Sequence, residues 1–374
     1  MKKSSIFLFV ILICWLGLAI NCKKEETQSN STNFESFKVI FSENILKQKK
    51  SDREFSSSHL ELIKEINIEN LEKPLYRPVY LRFDEKGCLY TLDFFEFLIH
   101  KFSSSSNWEH YNHSFFGKGR GQGPGEFSRV LDFKIFKDEV YLVDEGTGSI
   151  EVYSTDGIYK KRISLSNHMV PRKITIQDSR IIVQSLIPEG PLFFVYDLYG
   201  ESIFSFGELI NKSNVENTVY HDNELSNSFS GDCFYYLPRF FGYVCLYKGD
   251  RLAAARETID GLEIGKKNVP VKKIIMKNAI ARTVNKKYET VLLHSLYNDF
   301  ILIKTFDYVK KNAFWDIYDL QNFEYIISIR NPPPSASFAM YRNYLAVLSD
   351  TETGSKIEIF DISEVLREAR ARMN

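Results

Sequence analysis

Between Phe115 and Phe127 the chain reads Phe-Phe-Gly-Lys-Gly-Arg-Gly-Gln-Gly-Pro-Gly-Glu-Phe, its most glycine-dense stretch. Glycine tolerates backbone angles that other residues resist, so amides here can converge. With Lys118 and Arg120 interleaved, an anion cradle is the first chemistry to consider. Two phosphate-binding devices are excluded by spacing. No Gly-Lys-Ser/Thr follows the glycines as a nucleotide loop needs, and Gly-x-Gly-x-x-Gly fails at every start. A tight crossover between two structural units is the plainer use of the segment.

Other chemistry-bearing residues are few. Arg77 and Arg129 each stand two positions before an apolar residue, Val79 and Leu131, at the expected start of an inner strand. Two guanidiniums there could hold an anionic group, or simply pair with Glu126 or Asp132. Asp93 and Asp144 end equivalent strands, but the expected counterparts further on are Ser185, Leu237, Lys304 and Ser349. That broken series fits aspartates that cap turns through backbone amides better than a ring of metal ligands. His110 and His113 are three apart in a strand region, so they point to different faces. No Gly-x-Ser-x-Gly elbow and no Cys-x-x-Cys occurs. Neither a catalytic set, a metal site nor a cofactor is expected.

These residues must be positioned by a repeat. One unit runs from Leu81 through Asp93 to Phe102, and the next from Phe133 through Asp144 to Gly157. Each gives a strand, a polar turn, a second strand ending in Asp, a short loop and a third strand, with period-two alternation at Ile150 and Val152. Asp93 and Asp144 are 51 positions apart, the spacing of propeller blades. Weaker copies follow around 181–200, 233–249, 300–320 and 345–362, making six. The expected fold is all-β: a six-bladed β-propeller spanning 36–374. The last unit lacks a fourth strand before a short helix over 363–372. A strand over 60–68 is expected to supply it and close the ring, removing an exposed edge. A further weak strand is expected over 37–41. The stretches 207–230 and 259–287 read as insertions or long outer strands.

The string Gly-Lys-Gly-Arg-Gly-Gln-Gly-Pro-Gly-Glu-Phe after the first unit resembles the signature of the bacterial six-bladed β-propeller lipoproteins related to NHL-repeat proteins. The resemblance is specific in units one and two and loose beyond. It implies the propeller fold and says little of activity.

Residues 1–21 read as a lipoprotein signal: Lys2-Lys3, an apolar run over 6–18 too short to span a bilayer, then Leu18-Ala-Ile-Asn-Cys22. The ending resembles a lipobox, with Asn21 where a small residue is usual. Cys22 is therefore the expected lipidation site, and 22–35 a polar tether. Acyl chains contribute about 0.8 kcal/mol per buried methylene. The expected address is the bacterial envelope, at the outer membrane.

Composition agrees: 44% hydrophobic, with 30 Phe and 21 Tyr, and zero formal net charge. A neutral chain without a basic face excludes nucleic acid as the natural partner. Cys88, Cys233 and Cys245 remain in the mature chain. They read as buried thiols, although Cys233 and Cys245 on neighbouring strands are near enough to pair in an exported protein. The expected function is that of a monomeric, non-enzymatic binding or scaffold protein with a protein or envelope-polymer partner. The alternatives are a lactonase- or lyase-like enzyme at the channel mouth, or a carbohydrate binder using Trp108 and Trp315.

Overall fold

The computed structural model describes residues 45–46, 48, 53–104, 108–166, 171–177, 179–184, 191–207, 223–227, 233–238, 242–260, 271–276, 279–284, 293–307, 312–351 and 354–373. Two N-terminal strands come first, β1 (Ile45–Leu46) and β2 (Glu61–Asn67). Blade one is β3 (Pro78–Phe83), β4 (Leu89–Asp93), β5 (Leu98–Ser103) and β6 (Asn112–Phe116). Blade two is β7 (Val130–Phe136), β8 (Glu139–Asp144), β9 (Ser149–Ser154) and β10 (Tyr159–Ser164). Blade three is β11 (Lys173–Gln177), β12 (Arg180–Gln184), β13 (Phe193–Asp197) and β14 (Ser202–Phe206). Blade four is β15 (Asn223–Asn227), β16 (Cys233–Pro238), β17 (Tyr243–Lys248) and β18 (Arg251–Glu257). A separate hairpin, β19 (Val271–Met276) and β20 (Ala279–Val284), precedes blade five. That blade is β21 (Leu293–Tyr297), β22 (Phe300–Asp307), β23 (Asn312–Asp319) and β24 (Tyr325–Arg330). Blade six is β25 (Ser337–Tyr341), β26 (Tyr344–Thr351) and β27 (Gly354–Asp361), followed by helix α1 (Ser363–Met373).

The first strands of successive blades neighbour one another in the order β3, β7, β11, β15, β21, β25 and back to β3. This is a closed six-bladed propeller. The fourth strand of blade six is β2, antiparallel to β27 with Ile66 opposite Ile357, so an N-terminal strand closes the ring as expected. Ile66 is fully buried between blades six and one.

Second strands are apolar on both faces through their middle because each blade is sandwiched. On β8, Val140 and Leu142 join the cluster shared with blade one, while Tyr141 and Val143 join the one shared with blade three. Alternate side chains thus meet different neighbours and both faces are dry. Between blades three and four the core is aromatic: Phe193, Phe206, Phe234, Tyr236 and Tyr247. Helix α1 buries Val365, Leu366 and Ala369 against blades five and six.

The N-terminal segment does more than close the ring. β1 adds in parallel to the outer edge of β18 in blade four. Residues 54–56 then bridge the outer edge of β24 in blade five, the Ser56 amide donating to the Ser328 carbonyl and the Ser328 amide to the Glu54 carbonyl, both at 2.8 Å. Only after that does β2 reach blade six.

One expectation changes. The stretch 207–230 contains β15, an inner strand of the ring and neither an insertion nor an outer strand. Its Asn-Glu-Leu-Ser-Asn sequence lacks apolar alternation. The expected strand at 37–41, Cys22 and the tether lie outside the described residues. Cys88, Cys233 and Cys245 are free thiols. Cys245 stands opposite Tyr236, three residues along from Cys233, so the pairing register separates the two.

Candidate functional site

Aspartates organise one end of the ring. The Asp93 carboxylate accepts the amides of Tyr76, Arg77, Phe95 and Glu96, at 2.8 to 3.3 Å. In blade two the Asp144 carboxylate accepts the amides of Ser128, Arg129 and Gly146 and the Thr147 hydroxyl. Each therefore ties the loop after the second strand to the residues entering the first. Both are turn-capping aspartates, fully buried.

This tie fixes Arg77 and Arg129. Each directly precedes the first paired residue of its inner strand, Pro78 opposite Asp93 and Val130 opposite Asp144. In blade three Lys173 stands opposite Gln184, and the residue before it is Arg172. Gln184 lies four residues past Arg180 as Val143 lies four past Glu139, so Lys173 matches Asp132 and Arg172 falls further along its strand than the place that Arg77 and Arg129 share. Arg77 lies over the Phe94 ring, 5.0 Å from its centroid. Arg129 Nε meets Glu145 at 2.9 Å, and Arg172 Nη1 reaches the other oxygen of Glu145 at 3.1 Å. Glu145 thus links blades two and three, and it is the partner of Arg129 where Glu126 or Asp132 was considered. Arg172 escaped the sequence because its partner Glu145 belongs to another blade, a contact that spacing along the chain does not show.

Beside Arg77, two large apolar side chains face solvent: Tyr76, 62% exposed, and Phe95, 70% exposed. Their rings are 5.9 Å apart and inclined at 58°. Neither was singled out from sequence, since a lone aromatic beside a turn carries no signal of exposure.

Behind the arginines, the inner strands of blades one to three present more cation. Arg82 Nη2 lies 3.4 Å and Lys134 Nζ 3.8 Å from the buried Asp132 carboxylate. Tyr80 of blade one meets Lys173 of blade three, the ammonium 4.7 Å from the ring centroid. Because β7 stands between β3 and β11 in the ring, this contact spans the channel. Tyr80 has a left-handed backbone, φ 54°, at a bulge in β3.

The glycine segment is the connector from β6 to β7. Its amides are used locally: Lys118 donates to Gly125, Gly121 to Phe127, Glu126 to Gly123 and Phe127 to Gly119. Its carbonyls receive cations. Lys118 Nζ donates to the Pro124 carbonyl, and Arg162 donates to those of Gln122 and Gly123. Arg120 lies over Phe97, 5.7 Å from the centroid. At Gly125, φ 80°, an added Cβ would come 2.7 Å from the Tyr153 hydroxyl, which donates to the Gly125 carbonyl. Of the four basic residues singled out, the fold places Arg77 and Arg129 at equivalent mouth positions and folds Lys118 back onto its own loop.

His113 finds its partner in His100 on β5 and not in His110. Trp108 and Trp315 are 2% and 0% exposed, so neither presents a face to a sugar. Among the described residues no three His, Cys, Asp or Glu side chains converge as a metal site.

No protein family matches the chain, and no curated protein does. Solved structures do. A protein of Bacteroides fragilis NCTC 9343 described as exported aligns with a TM-score of 0.52 at 12% identity, over 84% of this chain and 98% of its own. The virginiamycin B lyase of Staphylococcus aureus, in a catalytically inactive form with quinupristin, aligns with a TM-score of 0.50 at 11% identity, over 81% and 99%. At such identities the likeness is one of fold.

Proposed function

We propose that this protein is a lipid-anchored, non-enzymatic binding protein of the bacterial envelope. It resembles the six-bladed propeller lipoproteins in its glycine signature, and it is anchored through Cys22 at the outer membrane. The observation that carries the binding function is the pair Tyr76 and Phe95, two large apolar rings exposed beside Arg77 at one end of the ring. Exposed aromatics next to arginine are the composition of interface hot spots. The charged run at the N-terminus, the short apolar core and Cys22 support export, as does the fold likeness to a protein described as exported. The lyase lends the enzyme alternative its fold alone.

Two substitutions test the two halves. Cys22→Ala is expected to abolish palmitate labelling and move the chain out of the membrane fraction; unchanged retention would refute the anchor. Phe95→Glu is expected to abolish co-purification of an envelope component after in-cell cross-linking. Tyr199→Glu, on the loop between β13 and β14 at the other end of blade three, is expected to leave it intact. Equal recovery from both variants would remove the binding face from this end.

A further inference from the structure

We infer that the open outer edge of β14 is a strand-docking site for this chain's own stretch 34–41, which adds to blade three as a parallel fifth strand.

The described part of the N-terminal segment sets the pattern. The outer strands of blades three, four and five each shift register once against the strand before them, between Val195 and Tyr196, Leu246 and Tyr247, and Ile317 and Tyr318. Counted from that bulge, the second paired residue is Ala255 in blade four and Ser328 in blade five. Ile45 pairs with Ala255 and Phe55 with Ser328, both in parallel. One register position is thus met twice, in neighbouring blades, by residues ten apart along the chain. The equivalent position in blade three is Ser205, opposite Phe194. A comparable step back from Ile45 reaches residues 35–37.

The edge waiting there is undefended. Among the described residues β14 is the last strand of its sheet, with nothing paired to its free side. Outer strands are normally kept from pairing by charge, proline or a cover. The sequence of β14, Ser-Ile-Phe-Ser-Phe, has no charge and no proline, and Ile203 is 48% exposed. The outer strand of blade two, by contrast, carries Lys160, Lys161 and Arg162. In blades four and five the N-terminal segment supplies the cover.

The sequence of the occupant fits the edge. From Lys23 to Asn33 no side chain is apolar, and 34–41 then reads Phe-Glu-Ser-Phe-Lys-Val-Ile-Phe. An added strand is held by backbone hydrogen bonds and placed by its apolar side chains. β14 is five residues long, so part of the stretch suffices to pair it and the rest crosses to blade four. The stretch ends three residues before β1 on that blade, and so short a connection holds it beside β14 at high effective concentration.

The consequence is one of placement, and it alone rests on the anchor at Cys22 proposed above. With 34–41 docked, the polar tether from Cys22 to Asn33 reaches roughly 20 Å. The rim of blade three then becomes the side of the disc nearest the membrane, leaving the Tyr76–Phe95 end free for its partner.

The test places the photo-cross-linker p-benzoylphenylalanine at Ile203 in dilute, detergent-solubilised full chain. After illumination and digestion, the peptide joined to β14 is expected to contain 34–41. The same probe at Ile158 is expected to capture none of it. Phe37→Pro is expected to lower the yield several-fold and to speed amide exchange over 202–206, while exchange over 251–257 stays unchanged. A cross-link to any other segment of the chain overturns the inference. So does a cross-link between two copies, which assigns the edge to self-association, or a yield that Phe37→Pro leaves intact. Cys22→Ala is expected to keep the cross-link. If that variant also stays in the membrane fraction, the anchor falls and the docked strand stands; if the cross-link fails while Cys22→Ala releases the chain, the reverse holds.

Discussion

His100 and His113 share one hydrogen bond, Nδ1 to Nε2 at 2.9 Å, between neighbouring strands of blade one. Their rings are stacked, with centroids 5.2 Å apart, and Phe102 and Phe115 flank them. His100 is fully buried, and its Nε2 has no partner. Burial, and then repulsion from His113, hold its pKa down to about 4; Asp93 opposes this and Lys73 adds to it. Burial also lowers His113, against the pull of Glu72.

Stability is therefore expected to fall in mild acid. A folded-state pKa depressed below the unfolded value of about 6.5 means the unfolded chain binds the proton first. The contribution is complete above about pH 6.5 and lost toward pH 4, up to roughly 3 kcal/mol. Urea midpoints measured across that window should decline, and the double variant His100→Phe/His113→Phe should flatten the decline. An identical slope in the variant would place the acid sensitivity elsewhere.

Arg53 ties the N-terminal segment to blade five. Its Nε and Nη2 donate to the two oxygens of Asp316, at 2.9 and 2.8 Å, and Nη2 also reaches Asp260 at 2.6 Å. Asp316 is completely buried and further accepts the Ser328 hydroxyl at 2.6 Å. Arg53→Met leaves that carboxylate uncompensated and is expected to cost about 3 kcal/mol in chemical denaturation. Asp260 behaves differently. Burial and the neighbouring Asp316 push its pKa up to about 6, against Arg53. A raised carboxyl pKa contributes stability below about pH 4 that is lost as pH rises through 6. Asp260→Asn is thus expected to be nearly neutral at pH 7.5, where Asp316→Asn is severe.

The capping aspartates offer a third measurement. Asp144→Ala strands three backbone amides and the Thr147 hydroxyl at the mouth of blade two and is expected to cost about 2–3 kcal/mol. Because Arg129 is positioned by this cap, the same variant is expected to loosen the Arg129–Glu145 contact. Faster amide exchange at residues 128–147 would report it, and unchanged exchange there would contradict the capping role.

Ring closure can be weakened at one side chain. Ile66→Ala removes a fully buried side chain from the β2 strand and is expected to cost about 3 kcal/mol. Opening this seam also exposes the edge of β27, so the variant is expected to aggregate on heating more readily than Arg53→Met. Light scattering during a thermal ramp distinguishes them.

The sequence alone determined the repeat, and the repeat determined the propeller. Asp93 and Asp144 mark one position in two blades because a buried carboxylate must satisfy several amides, and that need leaves a residue-level trace. The missing fourth strand of the last unit likewise pointed to N-terminal closure. Blade four was harder, since the polar inner strand at Asn223–Asn227 has no apolar period to detect. Only the tertiary structure decided which cations share a surface. Arg77 and Arg129 share one register position, while Arg172 lies further along its own strand and nothing in its blade marks it as a neighbour of Arg129. Glu145 joins Arg129 to Arg172 across two blades, and Tyr80 meets Lys173 across the channel. His113 pairs with His100 because β5 and β6 run antiparallel, whereas the nearer His110 stays exposed. Local chemistry writes caps and turns into neighbouring residues. Ring closure brings distant positions together through backbone pairing, which leaves no local mark on the side chains that then meet.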